Sequence, residues 1–234
     1  MNYVIWNDRD SREINGLLIC ELPPITKPQM RVKETVIDGV DGSIIEELGY
    51  ESYDKTITVG LKIGADVDEI IEYFTGSGKI VFSNEPNKYY IANITKGIDY
   101  QRLLRFRKAN ITLKVQPFKY DYEEIEMRYT NLIEQRITIS NDGNYPAKPI
   151  ITLEGEGTVV LTVNDTVICD YTFPESENTV ILDSQIQDAY FESDANLRNY
   201  KMNGDFPLFK KGLNVITWSG TLSSIRIKNY SRWL

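Results

Sequence analysis

The stretch ITVGLKIGADVDEIIEYFTG, residues 57–76, decides the fold of this chain. In its first half, apolar residues occupy every second position: Ile57, Val59, Leu61 and Ile63. Successive side chains of a strand point to opposite faces of a sheet. The alternation therefore predicts a half-buried antiparallel strand with these residues on its buried face.

The second half of the stretch changes to helical spacing. Its apolar residues recur at i, i+3, i+4 and i+7, in the order Val67, Ile70, Ile71 and Phe74. Asp66 is a good N-cap, and Glu69 three residues later resembles the second member of a capping box. Gly76 is typical of a helix end. This pattern predicts one short helix of about ten residues, packed on a sheet through its apolar stripe.

Alternation dominates the rest of the chain as well. Ile111, Leu113 and Val115 alternate with polar residues. From Arg136 onward the sequence reads as short strands and turns, with strands predicted at 137–139, 150–153, 159–163, 167–171, 180–182, 215–218 and 225–227. Many short strands at this spacing favour a β-sandwich. An acidic, polar segment after Pro117 marks a boundary, which gives an α+β domain at 1–130 and an all-β domain at 131–234.

Turn chemistry connects these elements. Tight turns or bulges are predicted at 39–42 and 141–144, because Gly, Asn and Asp tolerate positive φ. Asn164-Asp165 predicts a hairpin turn, and the glycines in 154–157 also predict a turn. The prolines between residues 23 and 28, after Gly16, indicate a segment that could leave the body as an extended arm.

The chain contains no histidine in 234 residues. This removes the commonest general base and a common metal ligand, so a Ser-His-Asp triad and a histidine-rich zinc site cannot be built. Carboxylates remain, most densely at Glu46-Glu47, Glu123-Glu124 and Glu154 with Glu156. With 34 acidic residues such pairs are expected by chance, and the solvated-surface interpretation is favoured over catalysis. We expect no enzyme activity, no cofactor and no metal site.

Charge and targeting signals exclude further classes. The formal net charge is −8, which argues against a protein that grips phosphate backbones but not against one that DNA slides past. Gly76-Ser77-Gly78-Lys79 follows a helix instead of preceding one, so it is no phosphate cradle. The sequence shows no signal peptide and no membrane-spanning run. Cys20 and Cys169 both lie in apolar stretches and are predicted to be buried core residues without a disulfide.

Aromatic and basic residues leave two interpretations open. Trp6, Trp218, Trp233 and the tyrosines could stack on sugar rings, although Trp218 falls in a strand pattern that favours the core. Arg102, Arg105, Arg107 and Lys108 form the densest basic stretch. It is either a solvated hairpin or a contact with an acidic neighbour, such as another copy of this chain.

The order of the motifs resembles one protein family. They occur as DGVDG at 38–42, Gly49-Tyr50, the capped helix, VQPFKY at 115–120, NDGNYPAKP at 141–149, Asp183-Ser184, NGDFP at 203–207, Gly212–Asn214 and a closing Arg232-Trp233-Leu234. This order is similar to that of the distal tail protein (Dit) family of long, non-contractile-tailed bacteriophages and prophages. The resemblance covers essentially the whole chain.

The resemblance implies a mainly β fold: an N-terminal tail-tube-like β-sandwich with one short α-helix, then a C-terminal galectin-like β-sandwich. It implies a structural ring of six copies that joins the tail tube to the tail tip or baseplate and lets DNA pass through its channel. The implied partners are further copies of the chain, the tail tube protein, a tail-tip protein and a receptor-binding protein. The implied location is the virion, assembled in the bacterial cytoplasm.

Within that framework, the ring contacts are expected at the edge strands of the first domain and at the proline-rich arm. The residues proposed for the oligomer interface are Asp41, Gly42, Arg102, Arg105 and Arg107. The alternative function is a carbohydrate-binding module that attaches a particle to a host cell surface. A glycoside hydrolase that uses two carboxylates is a remote third.

Overall fold

The computed structural model describes residues 1–97, 107–123, 125–193, 195–228 and 231–234. The chain divides into two compact units, Met1–Tyr122 and Glu123–Trp233. Both units are built mainly from antiparallel strands, and each has its own apolar core. The expected mainly β class is therefore confirmed.

The first unit contains the one α-helix among the described residues. Its elements are β1 (Val4–Trp6), β2 (Arg9–Asp10), β3 (Leu17–Glu21), β4 (Met30–Thr35), β5 (Ile44–Tyr50), β6 (Tyr53–Leu61), α1 (Val67–Tyr73), β7 (Ser77–Phe82), β8 (Lys88–Asn93) and β9 (Lys108–Asp121). The main sheet has the order β2-β1-β7-β8-β9-β6-β3, while β4 and β5 form a separate two-stranded sheet. The core lies between the inward faces of the main sheet and α1.

Helix α1 forms where the spacing predicts it. The Asp66 carboxylate accepts hydrogen bonds from the backbone N–H groups of Asp68 and Glu69, at 3.0 and 3.2 Å, as an N-cap does. Ile70 and Phe74 are buried in the core. The helix is shorter than expected, because Phe74 already leaves helical geometry with φ −94° and ψ 47°.

Two sequence predictions in this unit are wrong. Strand β6 ends at Leu61, and Ile63 is 89% exposed, because the chain turns away at Gly64 with φ +83°. Cys20 is exposed, since the pairing of β3 with β6 shifts register between Ile19 and Glu21. Cys169 is buried as predicted, and both cysteines are free.

Eight described strands of the second unit form one connected sheet around its own core. They are β10 (Glu126–Tyr129), β11 (Arg136–Asn141), β12 (Ile150–Val163), β13 (Thr166–Thr172), β14 (Thr179–Asp183), β15 (Asp188–Tyr190), β16 (Met202–Gly204) and β17 (Gly212–Lys228), with a 3₁₀ turn at Asn199–Lys201. The short strand β18 (Arg232–Trp233) lies outside this sheet. The sheet order is β10-β17-β12-β13-β16, with β11 also on β17 and β14 joining β12 to β15. Trp218 is buried, as its strand pattern predicts.

Long continuous strands replace two predicted strand pairs here. The predicted strands at 150–153 and 159–163 are one strand, β12, and those at 215–218 and 225–227 are one strand, β17. The glycines at 155 and 157 lie at register shifts inside β12. The turn predicted at 154–157 is therefore wrong, and a β-bulge occupies that position.

The other predicted turns of this unit are present. Asn164 and Asp165 have φ values of 51° and 62° and join β12 to β13, which is the geometry of a tight hairpin turn. Asn141 is 1% exposed. Its amide donates to the carbonyls of Tyr145 and Phe209, both at 3.0 Å, and its oxygen accepts from the Gly143 N–H. This buried asparagine therefore fixes the loop after β11.

Candidate assembly surface

Strands β4 and β5 form a hairpin outside the main sheet of the first unit, which we call the arm (residues 30–50). Met30 pairs with Tyr50 and Thr35 with Ile44, and among the described residues the two strands pair only with each other. Most arm residues are exposed on both faces of the hairpin. Isolated two-stranded hairpins are marginally stable in water, so the arm is an element that gains from a partner surface.

The end of the arm, residues 36–45, is apolar, and we call it the tip. Its large apolar side chains are between 47% and 69% exposed: Val36, Ile37, Val40, Ile44 and Ile45. Gly39 and Gly42 take φ values of +84° and +90°, so the predicted turn is present and forms the bend of the tip. Clustered exposed apolar residues of this kind mark a protein–protein contact.

Charged residues accompany the apolar tip. Asp38 and Asp41 lie in the bend, and further back the Lys33 ammonium lies 3.5 Å from the Glu46 carboxylate. That ion pair is more than 60% exposed on both sides and contributes little to stability. The Ser43 hydroxyl donates to the Glu34 carboxylate at 2.6 Å. The tip therefore offers an acidic bend beside an apolar patch.

The structure describes three of the five predicted interface residues, Asp41, Gly42 and Arg107. Asp41 and Gly42 both lie in the bend of the tip. Arg107 lies just before β9, where its guanidinium donates to the Lys62 carbonyl at 3.2 Å and its carbonyl accepts from Leu61 at 3.0 Å. Arg102 and Arg105 lie outside the described residues.

The segment before the arm is held against the body of the first unit. We call residues 22–29 the root. The Asn84 amide donates to the Pro23 carbonyl at 3.0 Å, and the Lys55 ammonium donates to the Pro24 carbonyl at 2.8 Å. The N–H of Glu51 donates to the Gln29 carbonyl at 2.8 Å, which extends the pairing of β4 with β5 to the base of the arm. The root is therefore tied to the body at Pro23 and Pro24, and the arm begins after it.

Lys55 is the residue that sequence reasoning missed. It lies on β6 in phase with Ile57 and Val59, so the strand's own alternation places it on the buried face, and it is 3% exposed. Its ammonium lies 4.9 Å from the centre of the Tyr90 ring, 5.5 Å from that of Tyr53 and 5.8 Å from that of Phe82. A lysine at an inward position of a strand is the signal that could have identified it.

The environment of Lys55 shifts several pKa values. Desolvation lowers the pKa of Lys55 to about 8, against the opposing charge of Glu85. Burial raises the pKa of Tyr53 to about 12 and raises that of Tyr90 further. Burial also opposes ionisation of Glu85, but hydrogen bonds from Lys119 and Tyr90 outweigh it and lower its pKa. These residues form a compact polar cluster beneath the root.

Two of the carboxylates considered for catalysis, Glu46 and Glu154, have ion-pair partners. Glu154 lies 3.3 Å from the Arg226 guanidinium and 3.6 Å from that of Arg128, and Glu46 pairs with Lys33. Within the described ranges, no group of three or more Cys, Asp or Glu side chains is placed to hold a metal ion. Among the residues that the structure describes, the helices are too short or too polar to cross a membrane.

A shallow groove lies on the second unit. It has a volume of about 320 Å³ and crosses β10, β17, β12, β14 and β15. The side chains that line it are Glu126, Ile150, Thr152, Ile181, Tyr190, Arg226 and Lys228. The pairing register places Arg226, Thr152, Ile181 and Tyr190 in one cross-strand row. The groove thus combines one aromatic ring with charged and hydroxyl groups.

Two β units, the first carrying a projecting hairpin, define a fold seen in phage tail hub and baseplate proteins. The Dit protein of phage SPP1, described as a paradigm of the hub adsorption apparatus in phages that infect Gram-positive bacteria, is 15% identical, with a TM-score of 0.68 over 100% of both chains. A chain of the phage P2 baseplate, in its activated conformation with Ca, is 8% identical, with a TM-score of 0.50 over 98% of both chains. No family model and no curated protein matches this sequence. The chain therefore has a Dit-like fold, as the motif order implies.

Proposed function

We propose that this chain is a structural protein of a phage tail that forms a ring-shaped hub between the tail tube and the tail tip or baseplate. The observation that carries this proposal is the likeness to a hub protein over the full length of both chains. Six copies would form the ring, as the family resemblance implies. The protein would act as a scaffold without catalysing a reaction, in the virion after assembly in the host cytoplasm.

The arm supports the ring by supplying a contact that one copy cannot satisfy. Its tip carries Ile44 and Ile45, which are 59% and 62% exposed. We infer that the tip docks on the next copy, so that each copy gives an arm and receives one. Such a head-to-tail contact closes into a ring when the rotation between copies is right.

Charge supports the same contact. The bend of the tip is acidic, with Asp41 beside Gly42, and the densest basic stretch of the sequence contains Arg102, Arg105 and Arg107. Opposite charges on the two sides of a contact favour the correct partner and register. We infer that the basic stretch of one copy receives the acidic bend of its neighbour.

The remaining partners follow from the place of a hub in a tail. The tail tube protein would stack on one side of the ring, and a tail-tip protein or a receptor-binding protein would attach on the other side or the periphery. Each copy carries a formal net charge of −8, so we infer that the channel face is acidic or neutral. DNA would then pass without being held, because phosphate binding needs clustered cations.

The experiment is size measurement by light scattering over a range of concentrations, together with electron microscopy of the particles. Rings of the wild-type chain would support the proposal. The double variant Ile44→Asp/Ile45→Asp should remain folded and monomeric, because both side chains are exposed in a single copy. Ile133→Asp is the matched control, since Ile133 is 88% exposed in the second unit, and it should still form rings. Rings formed equally well by the double variant would contradict the arm contact.

A second candidate function, carbohydrate binding at a host surface, is favoured by one observation, the groove that contains Tyr190. An aromatic ring offers a face for a sugar ring, and charged and hydroxyl groups can hydrogen-bond to its hydroxyls. Binding of the purified protein to a glycan array, lost on Tyr190→Ala, would support it. Absence of binding on arrays of bacterial cell-wall glycans would contradict carbohydrate binding and leave the hub as the only proposed function.

A further inference from the structure

Lys55 occupies a position that costs the folded chain energy. It is 3% exposed on the inward face of β6, whereas lysines are almost never fully buried unless they are paired. A methionine or leucine would fill this space without the cost of removing an ammonium from water. Because burial of this ammonium is unfavourable, we expect its charge or its N–H donors to have a specific role.

What the ammonium does is specific to the root. It donates to the Pro24 carbonyl at 2.8 Å, while the rings of Tyr53, Phe82 and Tyr90 surround it. Proline has no N–H, so around Pro23 and Pro24 the chain can be held mainly through its carbonyls. A charge-assisted bond to a carbonyl is stronger than a neutral one. Lys55 is therefore the strongest donor acting on the root.

The bond from Lys55 to the Pro24 carbonyl lies between two other contacts that hold the root. Asn84 holds the Pro23 carbonyl at 3.0 Å on one side, and the Tyr53 hydroxyl approaches the Thr26 carbonyl at 3.5 Å on the other. The charged groups that face Lys55 are Glu85 and Lys119, which pair with each other at 2.5 Å. Glu85 is thus held by Lys119, and Lys55 is left to bind the root.

We propose that Lys55 is a positioning residue that sets the direction in which the arm leaves the body, so that the tip can reach the next copy. The proposal rests on the proposed ring. Three prolines stiffen the root, so one fixed carbonyl determines the course of the residues that follow. A ring closes only when every copy presents its arm at the same angle. Loss of the anchor would therefore leave the fold intact and disperse the position of the tip.

The test compares Lys55→Met with the matched control Lys119→Met. Lys119 touches the same Glu85 but makes no bond to the root among the described residues, so its loss destabilises the cluster without releasing the arm. Spin labels on the exposed native Cys20 and on Ser43→Cys in the tip report the distance from body to tip. Cys169 is buried and stays unlabelled, and an excess of unlabelled chain suppresses distances between copies.

The expected results separate positioning from stability. Lys55→Met should unfold at no lower denaturant concentration than the wild type at neutral pH, because Pro24 is exposed and its freed carbonyl gains water. It should broaden the distance distribution and require about tenfold more protein for half-maximal ring assembly. Lys119→Met should lower the unfolding midpoint and keep the distribution narrow.

Two outcomes would overturn the proposal: an unchanged distance distribution in Lys55→Met, or wild-type ring assembly by that variant. The failure of the proposed function is a separate result. If the wild type forms no rings under any condition but Lys55→Met still broadens the distribution, then Lys55 positions the arm and the hub role is wrong.

Discussion

Burial of Lys55 makes the stability of the first unit depend on pH. Desolvation lowers its pKa to about 8 from 10.5, with Glu85 opposing and Lys119 adding to the shift, while Tyr53 and Tyr90 complete the surroundings. Between these two values the unfolded chain binds more protons than the folded one, so stability rises with pH in this window. The tyrosines act in the opposite sense above their ordinary pKa of 10.0, because burial raises their pKa values and the unfolded chain loses those protons first.

We therefore expect the unfolding free energy of the wild type, relative to Lys55→Met, to increase by about 1 kcal/mol between pH ~7 and pH ~9. Urea unfolding of both proteins at each pH measures this difference, in which the contributions of all other groups cancel. Lys62→Met is the control, since Lys62 is an exposed lysine of the same unit. If the unfolding free energy of the wild type, relative to Lys55→Met, does not rise between these two pH values, the ammonium is solvated in the folded chain.

The sequence predicted the burial and contacts of some residues but not of others. The cap at Asp66 was predictable because a short side chain before an apolar stripe acts locally. The exposure of Cys20 was not, because it depends on a register shift between two strands that are far apart in sequence. Lys55 lay between these cases: the alternation of β6 already placed it inward, but only the fold shows that the root lies above it.

Among the elements, the arm and the long strands limit prediction from sequence. The turn at 39–42 and the prolines of the root were visible in the sequence, and the structure forms a hairpin of β4 and β5 around that turn. Its strands carry no clean alternation because neither face is buried in a single copy. In β12, the glycines at 155 and 157 suggested a turn between two strands, because a glycine pattern alone cannot distinguish a bulge from a turn.

The bulge in β12 gives a prediction at this scale. A Cβ atom at Gly155 would lie 2.3 Å from the Thr221 carbonyl oxygen, which is backbone of β17 and cannot rotate away, whereas one at Gly157 would meet nothing within 4 Å. Gly155→Ala should therefore lower the unfolding free energy of the second unit by about 2 kcal/mol or more. Gly157 has φ +68°, a conformation that asparagine tolerates, so Gly157→Asn should cost less than about 1 kcal/mol.

Urea unfolding followed by circular dichroism measures both variants. The two variants test different effects. Gly155→Ala tests the close approach of the two backbones, and Gly157→Asn tests the positive φ. Equal losses in the two variants would mean that the strands separate easily at the bulge, contrary to the close approach of Gly155 to the Thr221 carbonyl.

For the whole molecule, the most informative feature is the tip of the arm, which stays uncovered in a single copy. The cores of both units close on themselves, but the tip keeps apolar residues such as Ile44 and Ile45 in water. Composition, with no histidine and an acidic balance, favours a scaffold over a catalyst, which stays a prediction. It could not predict the apolar patch of the tip, because exposure is a property of the folded chain and not of a residue type.

The acidity of the chain leads to a prediction for the assembled ring. Duplex DNA carries one charge per about 1.7 Å of its length, and proteins hold it by clustered Lys and Arg side chains. Each copy here has a formal net charge of −8, and we propose that the basic stretch that includes Arg107 lies in the contact between copies. The assembled wild-type protein should therefore retain no duplex DNA in a gel-shift measurement at about 50 mM salt, where phosphate binding is strongest. Retention that weakens steeply as salt is raised would instead place cations along the channel, and DNA would then have to be released before it could pass.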